Sequence, residues 1–199
     1  MPYVIGLSSI VAAHAAPLPG QGTWQTTLQA RDIDHDGTVD AYFDTSLNIT
    51  WFRQAFFGRP STVTNNILGL NFSGYDGWRL PKNDLSCGYR ELDCLGNEMA
   101  YLLWNELGGS AGVNLYNSGD FLDFSHSYYL EDRSSADEYG YWAQNFYGDS
   151  VMVGNTFGLY AFAVRDGDIA AVPEPSSTAL LSVGIAVLIF LARRRHFQR

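Results

Sequence analysis

Residues 97–107 read NEMAYLLWNEL, and this stretch has the clearest helical pattern in the chain. Its apolar side chains recur at the three- and four-residue spacing of one helix face, at Met99, Leu102, Leu103 and Leu107. Asn97 can cap the first turn, Glu98 suits the positive end of the helix dipole, and Gly108-Gly109 can end the helix. The stretch therefore predicts one main amphipathic helix.

Short runs rich in β-branched and aromatic residues lie on both sides of this helix. Residues 23–31 and 38–44 predict a β-hairpin, and residues 49–52 predict a further strand. Residues 58–77 are rich in Gly, Asn, Ser and Thr and predict a loop. After the helix, aromatic runs separated by Gly, Ser and Asp predict more short strands. This order of elements predicts an α+β fold of small, twisted antiparallel sheets with one main helix and long loops.

The C-terminal end combines three unlike elements in a fixed order. Val172-Pro173-Glu174-Pro175 precedes an uncharged apolar run at residues 176–192, which is followed by Arg193, Arg194 and Arg195. As a helix, the apolar run would span about 25 Å, at the short end of what crosses a membrane. The basic tail at 193–199 should stay cytoplasmic.

This layout resembles the PEP-CTERM sorting signal of Gram-negative bacteria over residues 172–195. The resemblance implies export, an inner-membrane precursor and processing by an exosortase-type membrane protease. The product would then be displayed at the cell envelope or surface, or held in the exopolysaccharide matrix. The alternative is an ordinary membrane anchor at the end of the chain.

The N-terminal end is also typical of an exported protein. Residues 4–13 are mostly apolar, and Ala13-His14-Ala15 fits the small-x-small rule of signal peptidase. No basic side chain precedes the apolar run, so we expect either a weak signal or a true start further upstream, and favour the second. The sequence thus predicts a signal peptide at residues 1–15, a globular domain at 16–171 and the sorting signal at 172–199.

Charge limits the partners of the globular part. All 21 acidic residues lie at or before Glu174, whereas four of the 12 basic residues lie in the tail. The part before the tail is therefore more acidic than the net charge of −9 for the whole chain indicates. Such a surface repels nucleic acid and anionic lipid headgroups and attracts cations. The aromatic content of 15% is enough for a packed core.

Acidic residues between the two predicted hairpin strands give the strongest chemical signal. The pattern is Asp32-x-Asp34-x-Asp36-Gly37-x-x-Asp40. Calcium takes six to eight oxygen ligands, and alternating carboxylates around a turn-forming Gly can supply them. The Thr38 carbonyl would be a further ligand. Phe43 at the twelfth position and the flanking strands argue against an EF-hand. We predict a calcium site; the alternatives are a solvated acidic turn and catalytic carboxylates.

The chain has two cysteines, Cys87 and Cys94. Both lie in the part predicted to be exported, and an oxidising compartment favours a disulfide between them. The alternative is two free thiols. Two cysteines with no histidine nearby make a poor zinc site.

Further motifs resemble the Lcl C-terminal domain family over about residues 40–168. Residues 44–51, DTSLNITW, are similar to its D-x-x-T-G-L-x-W opening, and residues 77–81, GWRLP, match its most recognisable motif. Residues 141–143, YWA, and 161–165, AFAVR, are similar to its later strands. The resemblance implies a C-type-lectin-like fold of the kind found in surface and adhesion proteins and associated with sulfated polysaccharide. It implies a binding module rather than an enzyme.

Three side chains in these motifs are candidates for ligand binding. Trp78 could stack on a sugar, Arg79 could bind an anion, and Trp142 lies in an aromatic-rich run. A structural role is the stronger interpretation for each. The sequence has no nucleophile elbow, His pair or phosphate loop, so we predict a non-catalytic protein that binds carbohydrate or matrix. The alternatives are a glycan-processing hydrolase and a structural matrix protein without a specific ligand.

Overall fold

The computed structural model describes residues 22–84, 96–109, 118–124, 128–132, 140–145 and 149–169. These residues form mostly short strands in two small sheets, with a few short helices and long connections. This content confirms the α+β class. The predicted disulfide, signal peptide and membrane helix lie outside the described residues. Within the part of the chain that the structure describes, no helix is long and apolar enough to cross a membrane.

The strands of the described residues are numbered in chain order. They are β1 (Leu28–Arg31), β2 (Ala41–Asp44), β3 (Ile49–Phe52), β4 (Phe56–Gly58), β5 (Tyr129–Glu131), β6 (Tyr141–Gln144), β7 (Ser150–Val153), β8 (Leu159–Ala161) and β9 (Val164–Asp166). The helices are α1 (Trp24–Thr27), α2 (Pro60–Leu68) and α3 (Glu98–Tyr101), and a π-turn at Leu102–Glu106 continues α3.

The first sheet has the strand order β1-β2-β3-β9 and is antiparallel throughout. Its first three strands confirm the predicted hairpin and the strand that follows it. The turn between β2 and β3 is tight because Asp44 accepts hydrogen bonds from the backbone N–H groups of Ser46 and Leu47, at 2.8 and 3.0 Å. Asn48 takes the left-handed conformation that ends this turn, with φ of 55°.

The second sheet has the strand order β4-β8-β5-β6-β7. Its β5 and β8 strands are parallel, through Tyr129 opposite Tyr160, and its other pairs are antiparallel. The prediction of purely antiparallel sheets was therefore wrong for this pair. Because β8 returns between β4 and β5, it lies between strands from distant parts of the chain, and local sequence patterns do not encode such a pairing.

Two helices, α1 and α2, lie where the sequence did not predict a helix. Residues 58–77, predicted as loop, contain α2, in which Pro60 occupies the first position and Val63 and Ile67 are buried. The Thr and Asn residues between those two apolar positions hid the helical spacing. Residues 23–31, predicted as strand, begin with α1.

The predicted main helix at 97–107 has a shorter α-helical part than expected. It starts at the predicted cap, since the side chain of Asn97 accepts a hydrogen bond from the Met99 N–H. After α3 it widens into the π-turn, where the Leu107 N–H bonds to the Leu102 carbonyl five residues earlier, at 2.9 Å. Buried side chains from both parts face one hydrophobic cluster, so tertiary packing selects the wider turn.

Residues 79–83 join the two sheets. The backbone N–H and C=O of Arg79 pair with those of Val164 in β9, both at 2.8 Å. Four residues on, the Asn83 N–H bonds to the Asp132 carbonyl just after β5, at 2.8 Å. Two hydrophobic clusters form the core of the described residues: in one, residues of β1, β2, β3 and β9 pack with α3 and the π-turn, and in the other, residues of β5, β6 and β8 pack with α2.

Candidate functional site

The acidic loop joins β1 to β2, as the sequence predicted. Ligand oxygens of Asp32, Asp34 and Asp40 all lie within 4.8 Å of one another. Three carboxylates at this separation repel one another unless a cation or protons neutralise them. The loop thus concentrates negative charge at one point of an acidic protein.

Backbone N–H groups hold the loop around these carboxylates. The Gly37 N–H donates to Asp32 Oδ2 at 2.9 Å, and the Ile33 N–H donates to Asp40 Oδ2 at 2.8 Å. Gly37 has φ of 91°, which a residue with a side chain rarely adopts. Asp32 Oδ1 is inaccessible to solvent and has no hydrogen-bond partner among the described residues. A buried carboxylate oxygen of this kind fits a site that accepts a cation.

Asp36 and Thr38 differ from the predicted ligand set. The Asp36 carboxylate accepts hydrogen bonds from the Thr38 hydroxyl at 2.6 Å and the Thr38 N–H at 2.8 Å. The bond from the Thr38 hydroxyl is the main cause that lowers the pKa of Asp36. The structure therefore brings three of the four predicted aspartates together and turns the fourth toward its own turn, a common local preference of Asp.

Arg79 begins the seam between the sheets at residues 79–83, and Trp78 directly precedes it. The Trp78 ring is 1% exposed, and its indole N–H donates to the Tyr75 carbonyl at 3.0 Å. Arg79 binds both carboxylate oxygens of Glu98, at 2.8 and 2.9 Å, and also binds Asp166. This is the structural role that the sequence favoured. A ligand role for the two side chains stays a prediction that would require the seam to open.

Trp142 lies on β6 opposite Glu131 of β5 and is 6% exposed. It lines a cavity of about 140 Å³ together with Thr64, Glu131, Asp132 and Tyr141. The Glu131 carboxylate accepts a hydrogen bond from the Asn83 side chain at 2.7 Å. This cavity has two carboxylates in its lining, Glu131 at the end of β5 and Asp132 directly after it.

Sequence reasoning missed a buried acid, Glu106, at the end of the π-turn. Glu106 is fully buried and accepts hydrogen bonds from the Thr23 hydroxyl at 3.0 Å and from the Thr27 hydroxyl. Burial raises the pKa of Glu106, and the nearby Asp44 carboxylate raises it further. Asp44 in turn accepts a hydrogen bond from the Trp51 indole at 3.3 Å. Asp44 and Trp51 both belong to the motif that the sequence showed at residues 44–51. That motif did not indicate that Glu106 lies near Asp44.

Comparison with known proteins gives one match, which covers the tail of the chain. Residues 171–195 match the PEP-CTERM protein-sorting motif, in agreement with the resemblance seen over 172–195. No curated protein and no solved structure matches the chain. The Lcl resemblance therefore stays a prediction. The tail motif indicates a surface protein that a Gram-negative bacterium exports, sorts to its envelope and processes with an exosortase.

Proposed function

We propose that this exosortase substrate is a non-catalytic binding protein of the cell surface or exopolysaccharide matrix, with polysaccharide as its partner and calcium as its cofactor. The observation that supports the calcium site is the approach of three carboxylates to within 4.8 Å on a turn ordered by backbone N–H groups. The sorting motif supports the location. The Lcl resemblance supports a polysaccharide partner.

Asp32, Asp34 and Asp40 would hold the ion. Bound calcium would supply positive charge that offsets the repulsion among the three carboxylates and fixes the β1–β2 hairpin. The carboxylates bring ligand oxygens, while the Gly37, Ile33 and Asp36 N–H groups keep the loop in a shape that presents them. Because the protein is acidic, a bound cation also gives it a means of bridging to anionic groups of a glycan.

A melting experiment tests the calcium site. Calcium that binds only the folded state raises the free energy of unfolding by about 2.7 kcal/mol at a hundredfold excess over Kd. We expect the melting temperature of the wild type to rise in calcium relative to chelator, and this rise to disappear in Asp34→Asn. Asp36→Asn is the matched control, because the Asp36 carboxylate bonds to Thr38 outside the cluster. It should keep the rise.

Equal melting of the wild type in calcium and in chelator would refute the calcium site. If the calcium-dependent rise in melting temperature were lost in Asp36→Asn but kept in Asp34→Asn, the ion would have different ligands. Magnesium should replace calcium poorly, because it demands a tighter octahedral shell than an open loop provides.

A glycan-processing hydrolase is the alternative function, and the observation that favours it is the cavity lined by Glu131, Asp132 and Trp142. Release of new reducing ends from a polysaccharide, lost in Glu131→Gln and in Asp132→Asn, would establish that function. Binding of glycan without such release supports the non-catalytic proposal.

A further inference from the structure

The last three described residues, 167–169, are docked on the first sheet after β9 ends, and we call them the docked segment. Gly167 has φ of 76°, a conformation that residues with a side chain rarely adopt. Its N–H donates to the Asn48 carbonyl at 2.9 Å, and its carbonyl accepts a hydrogen bond from the Thr50 hydroxyl at 2.8 Å. Both polar backbone groups of Gly167 are therefore bonded to the first sheet.

An arginine of β1 binds the next residue of the docked segment. Arg31 donates from Nε and Nη2 to the two carboxylate oxygens of Asp168, at 2.8 and 2.9 Å. The guanidinium is already held in position, because it also donates to Gln29 Oε1 at 2.9 Å and lies over the Phe43 ring, 5.4 Å from its centre. The side chains of Arg31 and Asp168 are 15% and 33% exposed, so solvent screens this two-bond pair only in part.

The third residue of the docked segment is buried. Ile169 is 2% exposed and belongs to the hydrophobic cluster that also contains Ile33 and Ala41 of the β1–β2 hairpin. Release of the docked segment would therefore break the hydrogen bonds of Gly167 and Asp168 and expose an isoleucine side chain to water.

The docked segment lies directly before the sorting motif, which starts at residue 171. The apolar run starts at Ser176, seven residues beyond Ile169. An extended chain spans at most about 3.5 Å per residue, so a precursor whose apolar run lies in the membrane keeps the domain within about 25 Å of that run. This gap is narrower than a small folded domain, which is about 30 Å across. A membrane protease therefore has little room to reach the motif.

Release of the docked segment widens this gap. Three more residues become free, and they add about 10 Å to its greatest width. The end of a domain opens locally at a lower free energy than its core does. When opening and closing are fast relative to cutting, the rate of proteolysis follows the fraction of molecules that are open. Weaker docking should therefore lead to faster cutting.

We propose that Arg31 and Asp168 are positioning residues for the processing of this protein. Their contact holds the chain just before the sorting motif and restrains the membrane protease until the docked segment opens. The matched motif at 171–195 lies wholly in the tail, and this role adds two residues of the globular part to the reaction. It depends neither on the calcium site nor on the polysaccharide partner.

Pulse-chase measurement of the conversion of precursor to mature form tests this role, with the full chain expressed in an exosortase-containing host. We expect Arg31→Gln and Asp168→Ala each to convert faster than the wild type, by about threefold or more. Arg31→Lys keeps the charge without the two-bond geometry and should lie between them and the wild type. The matched control is Arg53→Gln, which removes the same charge together with bonds to the carbonyls of Asp120 and Val39. It should convert like the wild type.

The double variant tests whether the two side chains act through their contact. Arg31→Gln combined with Asp168→Ala should convert no faster than the faster single variant. Hydrogen exchange of the Gly167 N–H should accelerate in both single variants of the purified protein, because this group becomes accessible when the docked segment opens. Rates that multiply in the double variant would show that the two residues act separately and would overturn the proposal.

Three further outcomes would also overturn the proposal. One is conversion of Arg31→Gln and Asp168→Ala at the wild-type rate or more slowly. Another is equally fast conversion of Arg53→Gln, because a general loss of stability would then explain the effect. The third is a wild type that is not converted at all, which would also refute removal of the tail. The calcium site is tested separately, by melting in calcium and in chelator.

Discussion

The protonation of one buried side chain, Glu106, affects the stability of this domain. Its carboxylate lies between the hydroxyls of Thr23 and Thr27 and close to the Asp44 carboxylate, and Glu106 Oε1 finds no partner in the part of the chain that is described. A carboxylate that is buried in this way is more stable when it carries a proton. It ties α1 to the π-turn, so its protonation state acts on a contact between distant parts of the chain.

A pH series of melting experiments checks this role of Glu106. Because burial raises its pKa in the folded state above the unfolded value, its contribution to stability is complete below about pH 4.5 and is lost as pH rises through the folded pKa. We expect Glu106→Gln to gain on the wild type by up to about 1.4 kcal/mol for each pH unit over that range. Asp36 and Asp166, whose pKa values are lowered, change stability in the opposite direction in both proteins.

The comparison between variant and wild type cancels those opposite contributions. A constant difference in the free energy of unfolding from pH 4 to pH 8 would show that Glu106 titrates normally. Thr27→Val serves as a second variant, because it removes one hydroxyl donor and should raise the pKa of Glu106 further.

At the scale of elements, the sequence predicted those strands and helix ends that depend on local sequence patterns. The first three strands and the Asn97 cap followed from β-prone runs and from a side chain suited to a helix start. The sequence did not predict α2, the π-turn or the parallel contact of β5 with β8, because these features depend on packing between distant segments. In the acidic loop, alternation predicted Asp32, Asp34 and Asp40, but the competing bonds from Thr38 to Asp36 depend on the folded turn.

The side chain of Asn97 connects the start of α3 to strand β6, and replacement of Asn97 tests how much this connection stabilises the protein. It caps α3 through Oδ1, while its Nδ2 donates to Gln144 Oε1 of β6 at 3.3 Å. Asn97→Ala should lower the free energy of unfolding by about 2 kcal/mol, roughly half from the cap and half from the unpaired Gln144 amide. Denaturant unfolding measures it, with the exposed Asn66→Ala in α2 as the control.

Asn97→Ser separates the two contributions, because serine keeps the capping oxygen and loses the bond to Gln144. Its stability should lie between those of the wild type and Asn97→Ala. A loss below about 0.5 kcal/mol in Asn97→Ala, comparable with surface substitutions, would contradict the connection.

At the scale of the whole molecule, a two-sheet domain precedes a sorting tail. The last described residue, Ile169, is 2% exposed and packs in the second hydrophobic cluster, while the tail motif starts at residue 171. The domain and the tail are therefore adjacent in the chain with almost no spacer. A cut within the motif would leave every described residue in place.

Removal of the tail is a prediction for the mature protein. A cut near Pro173-Glu174-Pro175 takes away the apolar run at 176–192 and four arginines, so the mature form should be smaller and markedly more acidic. From the sequence, we expect the prolines on both sides of Glu174 to disfavour a helix here, so that a protease can reach this segment. Intact-mass measurement in the natural host checks it. A mass that includes residues 176–199 would indicate a permanent anchor, and a host without exosortase should retain the tail.

The pairing of β3 with β9 also determines when the domain can fold during its export. The Thr50 hydroxyl bonds to the Gly167 carbonyl across 117 residues of chain, and pairing over such separations is slow because the intervening chain must first be brought together. The first sheet stays incomplete until residue 166 is available for pairing, a few residues before the sorting motif. A chain that crosses the membrane unfolded from its N-terminal end must therefore stay soluble, with one sheet edge unpaired, almost until the tail reaches the membrane.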